Sequence, residues 1–109
     1  MDIQVQEELD IIVDKIKCTV KTEKIYLFGS FANGSPREDS DFDIYVLLDK
    51  IEERPIKSIQ KIYKSLYKLN IRPIDILANY TDIFLKTAED ITLEKNILEK
   101  GVIIYERNN

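Results

Sequence analysis

The sequence has no histidine and a single cysteine, Cys18. Without imidazole there is no Ser-His-Asp triad, no imidazole general base and no histidine-carboxylate metal site. A lone cysteine closes no intrachain disulfide and builds no cysteine-rich zinc site. Any metal held here must sit on oxygen ligands, which suit magnesium, manganese or calcium. No apolar run approaches the roughly 20 residues of a membrane span. The opening Met1-Asp2-Ile3-Gln4 lacks the basic start and apolar core of a secretion signal. A cytoplasmic protein without membrane contact is expected.

What is present is an ordinary globular composition: 44% hydrophobic and 33% charged residues in 109, which excludes disordered and collagen-like chains. The length predicts one domain, residues 1–109. Sixteen Lys+Arg against twenty Asp+Glu give a net charge of −4, which argues against direct binding to bulk nucleic acid.

Apolar periodicity predicts a helix over residues 3–18, carried by Val5, Leu9, Ile12, Val13 and Ile16. Strands are predicted over residues 24–28 and 41–48, with a short helical turn and a loop across 30–40. A helix follows over 56–70, then a strand over 74–77 opened by Pro73. Thr81 is expected to cap a helix over 82–87, and residues 89–100 to form another that Gly101 ends. The last strand covers 102–105. This order predicts an α/β (α+β) domain, a small mixed sheet flanked by helices, with an antiparallel return between the first two strands.

Chemistry concentrates in one stretch. Gly29-Ser30-Phe31-Ala32-Asn33-Gly34 follows the first strand. A glycine there lets backbone N–H groups approach an anion, and Ser30 adds a hydroxyl. Taken alone, a tight turn accounts for it better. Seven residues after Gly34 comes Asp41-Phe42-Asp43 at the head of a strand. Residues two apart share a face, so both carboxylates point away from the core formed by Phe42, Ile44, Val46 and Leu48. Two unpaired carboxylates side by side repel, and a divalent cation relieves the repulsion. A third acid, Asp75, interrupts the apolar run of the third strand. The bland alternative is an edge strand with Asp75 facing water, paired with Arg72 or a lysine. If that strand lies beside residues 41–48, the three carboxylates converge next to the glycine-serine turn, as a metal-dependent phosphoryl- or nucleotidyl-transfer site requires.

The series Gly29-Ser30-Phe31-Ala32-Asn33-Gly34 followed by Ser40-Asp41-Phe42-Asp43-Ile44 resembles the G-S-x-A-x-G…S-D-x-D signature of the DNA polymerase β-like nucleotidyltransferases. In length the chain is similar to their minimal branch, the antitoxin partners of HEPN-domain toxins. Asn33 stands where many members carry arginine. The resemblance implies the polymerase β-like fold, with ATP bound by Gly29, Ser30, Asn33 and Ser40. It implies Mg²⁺, with Mn²⁺ as a substitute, on Asp41, Asp43 and Asp75, the same three acids being catalytic. The activity implied is transfer of AMP to a hydroxyl, a tyrosine on a HEPN-type toxin. With every segment assigned to one core, the acceptor surface is expected from that partner or from a homo-oligomer. The alternative reading is a catalytically weak or inactive nucleotide-binding antitoxin that neutralises its partner by complex formation. A small-molecule acceptor ranks last.

Other features have bland readings. Lys57, Lys61, Lys64 and Lys68 make a solvated helix face, with docking of an acidic partner or RNA as the sharper alternative. Tyr45 shares the face of Asp41 and Asp43, where it could flank a base. Cys18 is expected to be half buried.

Overall fold

A computed structural model describes residues 2–37 and 40–108. In chain order the elements are α1 (Ile3–Thr19), β1 (Thr22–Phe28), α2 (Ser30–Asn33), β2 (Phe42–Leu48), α3 (Pro55–Leu66), β3 (Ile74–Tyr80), α4 (Thr81–Thr87), α5 (Leu93–Lys100) and β4 (Val102–Glu106). The four strands form one sheet in the order β3-β2-β1-β4. β1 runs antiparallel to β2 and to β4, while β2 and β3 are parallel. The sheet is mixed, and the β1–β2 return is antiparallel, as the sequence predicts.

β2 carries the fold. Phe42, Ile44, Val46 and Leu48 are fully buried on one face, with Ile25, Leu27 and Ile76 from the neighbouring strands. Val5, Leu9, Ile12 and Ile16 of α1 and Ile62 and Leu66 of α3 cover that face. Tyr45 and Leu47 point the other way and are also buried, in a second cluster with Tyr26, Phe84 of α4 and Ile97 of α5. Tyr45 is therefore core and unavailable for stacking on a base. Its hydroxyl donates to Glu94 Oε2 at 3.0 Å. In all of β2 only Asp43 is not buried.

Several element ends differ from the sequence expectation, each for a local reason. α3 stops at Leu66, and Leu69 N–H then bonds Leu66 O at 3.0 Å, a tightened turn that takes the place of the last helical residues. Thr81 is inside α4; Tyr80 is the N-cap, and Thr81 Oγ1 is buried without a partner. The threonine that does cap is Thr92, which accepts from Lys95 N–H at 3.1 Å and starts α5 at Leu93. β1 begins two residues early, β3 continues to Tyr80, and Cys18 is exposed. Gly101 ends α5 with an ordinary φ of −67°. Glycine is needed there because a Cβ would lie 2.5 Å from Ile97 O and 3.1 Å from the Tyr26 ring. No helix among the described residues is long and apolar enough to cross a membrane.

Among the described residues, the most buried ion pair joins distant parts of the chain. Glu8, only 8% exposed on α1, binds Arg72 just before β3. Its Oε2 accepts from Arg72 Nη2 at 2.7 Å and its Oε1 from the Arg72 backbone N–H at 2.9 Å. These bonds hold the Glu8 carboxyl below its ordinary value of 4.5, against the opposing effects of burial and of the Asp2 charge. A carboxylate so depressed contributes stability that is complete above its unfolded-state value and is lost as pH falls through the folded one.

Two outcomes follow from this packing. Gly101→Ala is expected to cost about 1–3 kcal/mol in urea unfolding, as overpacking against backbone and a ring does. Glu8→Gln is expected to flatten the acid limb of stability below about pH 4.5, measured as the denaturation midpoint at stepped pH. An unchanged acid limb would remove the ion pair from the account.

Candidate active site

The parallel pairing of β2 and β3 sets Asp43 in register with Asp75. In-register residues on adjacent strands share a face about 4.8 Å apart, so the two carboxylates stand side by side. β3 is an edge strand, and Asp75 is exposed. The edge strand of the bland reading is thus present together with the neighbour that the sharper one requires. Arg72 is bonded to Glu8 instead of Asp75.

The glycine turn meets this pair from the other side. Phe28, the last residue of β1, is in register with Asp43, and Gly29 follows. Gly29 has φ 74° and ψ −152°, a region open essentially to glycine alone. A Cβ on it would run into Asp43 Oδ2. The turn and the carboxylate are therefore in direct contact, and glycine is demanded twice. Ser30 is the first residue of α2; Ala32 and Asn33 N–H both bond Gly29 O, at 3.1 and 3.0 Å. The N–H groups of Ser30 and Phe31 are those a helix start leaves without an intrahelical acceptor.

The remaining sequence candidates lie around this centre. Asp41 is exposed and precedes β2 by one residue. Asn33 is the exposed last residue of α2. Ser40 closes the approach to Asp41: its Oγ accepts from Arg37 N–H at 2.7 Å. Sequence reasoning missed Tyr63 of α3, whose hydroxyl donates to Ile74 O at 3.3 Å and accepts from Ile76 N–H at 2.9 Å. Those are the two neighbours of Asp75. An amphipathic helix gives no local sign that one of its tyrosines will pair a strand edge. The lysines of α3 are exposed, and Lys61 pairs with Glu53 at 2.7 Å.

Burial, then the charges of Asp75 and Asp41, raise the Asp43 carboxyl above its ordinary value of 3.8. Among the described residues no ion pair involves Asp41, Asp43 or Asp75. Nor are any three acidic, histidine or cysteine side chains already gathered as a metal-ligand set. Asp43 and Asp75 are brought together; Asp41 stands at the approach, near enough for its charge to act on Asp43. Uncompensated negative charge on hard oxygen donors fits Mg²⁺ or Mn²⁺. A glycine turn beside it fits phosphate oxygens.

A family model described as polymerase beta, nucleotidyltransferase matches residues 10–109. A Methanocaldococcus jannaschii protein named as a candidate protein adenylyltransferase is 31% identical over 91 residues, 84% of this chain and 86% of that one. The fold is similar to a candidate nucleotidyltransferase from Sulfolobus solfataricus, with TM-score 0.64 and 20% identity over 96% of this chain and 83% of that one. It is also similar to a chain of the complex between tri-AMPylated Shewanella oneidensis HEPN toxin and MNT antitoxin. There the TM-score is 0.53 and the identity 18%, over 94% of this chain and 72% of that one.

The two positive-φ glycines differ in ψ, −152° at Gly29 and 17° at Gly34, as well as in contact. Both have φ 74°, but a Cβ on Gly34 would meet nothing within 4 Å. Gly34→Ala is expected to cost about 1–2 kcal/mol from conformation alone. Gly29→Ala should cost more, by roughly 1–3 kcal/mol, because its backbone conformation is open essentially to glycine alone and the methyl group displaces Asp43. Equal costs in chemical denaturation would contradict the contact. Asp43→Asn, which removes a charge its neighbours oppose, is expected to hold or raise the melting temperature; a marked fall would make Asp43 a structural residue.

Proposed function

The chain belongs to the polymerase beta nucleotidyltransferase family, and we propose that it transfers AMP from ATP to a tyrosine hydroxyl of a HEPN-type toxin, acting as the antitoxin. The observation that carries this reading is the in-register pairing of Asp43 and Asp75, with Gly29 against Asp43. The name of the Methanocaldococcus relative supports a protein acceptor and an AMP donor. The AMPylated toxin in the Shewanella complex supports the kind of partner.

In this mechanism residues 1–109 work as a single catalytic domain. The N–H groups of Ser30 and Phe31 and the Ser30 hydroxyl donate to the triphosphate, while Asn33 and Ser40 flank the nucleotide. Asp41, Asp43 and Asp75 would hold Mg²⁺, or Mn²⁺ in its place. When bound, the cation offsets phosphate charge and favours departure of pyrophosphate. Asp75, open to solvent on the edge strand, accepts the proton of the acceptor hydroxyl. The hydroxyl oxygen bonds to the α-phosphorus as the bond from that phosphorus to the bridging oxygen breaks, and pyrophosphate leaves. The acceptor comes from the toxin's own surface, brought by complex formation. Use of ATP suits a cytoplasmic setting.

Intact-mass spectrometry of a HEPN-domain toxin tests the proposal. The toxin is expected to gain one or more AMP units only with this protein, ATP and Mg²⁺ together, and to stay inactive after separation. Chelation should stop the gain, and Asp43→Asn should slow it by at least about 10²-fold. An inhibited toxin of unchanged mass that recovers on separation would replace transfer with inhibition by binding alone.

A further inference from the structure

We infer that Arg72, locked by Glu8, is a positioning residue that sets the spacing among Ser30, Asp43 and Asp75. The inference rests on the reading of those residues as the transfer site. Each of the two motifs has an aromatic residue at its centre: Phe31 directly follows Ser30, and Phe42 separates Asp41 from Asp43. The two rings touch, with centroids 4.7 Å apart at 47°. The Arg72 guanidinium carbon lies 5.1 Å from the Phe31 centroid and 5.0 Å from that of Phe42. One planar cation thus contacts both motifs on the side of the sheet away from the carboxylates.

The same residue leads into the third acid. Pro73 O accepts from Phe42 N–H at 3.0 Å, and Asp75 lies three residues beyond Arg72. Arg72 in turn is fixed by Glu8, through Nη2 at 2.7 Å, Nε at 3.2 Å and its own backbone N–H at 2.9 Å. α1, α2, the head of β2 and the head of β3 therefore meet on one side chain. Adhesion alone does not call for a charged pair here, since apolar side chains of similar volume often stabilise a site as well or better. An arginine held by a buried carboxylate supplies a plane of fixed orientation, with rings packed on it, which lysine does not.

The test uses the full chain carrying Arg72→Lys, with Glu8→Gln as the second variant should the first fail to fold. Two measurements are made: steady-state AMP transfer to the HEPN-domain toxin, and amide hydrogen exchange followed by NMR. Positioning predicts a fall in kcat of at least about tenfold with KM for ATP changed less than about twofold. It also predicts exchange at the Phe42 amide faster by about tenfold, while the Ile76 amide, held by Tyr63, keeps its protection. Uniform loss of protection with wild-type kcat per folded molecule would overturn the inference and leave Arg72 a general stabiliser. Should wild-type protein transfer no AMP, the function proposed above fails, and the exchange measurement alone decides this one: selective loss at Phe42 supports it, and an unchanged Phe42 amide overturns it.

Discussion

Two like charges held side by side by a parallel strand pairing are the constraint on which the rest of this structure turns. Asp43 and Asp75 repel, and nothing in their own pairing offsets the cost. The register survives because β2 is anchored everywhere else. Shifting β2 by one residue would turn Asp43 into the core and bring Phe42, Ile44, Val46 and Leu48 out of it. The opposite face is covered too, so the cost of that shift is an unpaired carboxylate buried in the main core and the unpacking of both cores, which exceeds one carboxylate repulsion. The α3 crossover then fixes the direction of β3, because a parallel neighbour requires a long connection and the helix provides it. The strain at the site is sustained by the core on the far side of the same strand.

What the sequence made legible was local and periodic. The alternation from Phe42 to Leu48 revealed the core face and, by difference, the face of Asp41 and Asp43. The position of Gly29 after a strand marked the turn. Both signals lie within a few residues of each other, where backbone geometry alone decides. The second core was legible only in part. The unbroken apolar run Ile44-Tyr45-Val46-Leu47-Leu48 is that of a strand covered on both faces. Its cover comes from α4 and α5, whose Phe84 lies 37 positions beyond Leu47, and nothing in β2 identifies them. A tyrosine near the aspartates therefore looked available when it was core.

The site was legible in its residue types and only partly in its construction. φ at Gly29 can be anticipated from a turn; its contact with Asp43 cannot, because it depends on the register of β1 against β2. The Glu8–Arg72 pair joins residues 64 positions apart. In the sequence Glu8 is one more polar residue in a helix, and Arg72 is a surface cation ready to meet Asp75. Thr81 and Thr92 show the same limit at smaller scale. Each is a threonine before a helical stretch, and only the one whose backbone stays extended, with φ −139°, can cap.

An acid on an edge strand must be reachable and must also stay in register. β3 has β2 on one side only, so half of its backbone groups face outward and would otherwise be met by water or another strand. Tyr63 answers this at Asp75 by pairing with the carbonyl before it and the N–H after it, as a neighbouring strand would. A side chain in place of a strand occupies the hydrogen-bonding edge but leaves the carboxylate face uncovered. Arg72 governs the entry to the same strand and Tyr80 its exit, where the Tyr80 hydroxyl reaches Glu53 O at 3.2 Å. Three side chains thus hold the edge strand at its beginning, at its acid and at its end. Accessibility of Asp75 and precision of its placement are compatible here because the restraint acts on the backbone and the opening is on the side-chain face.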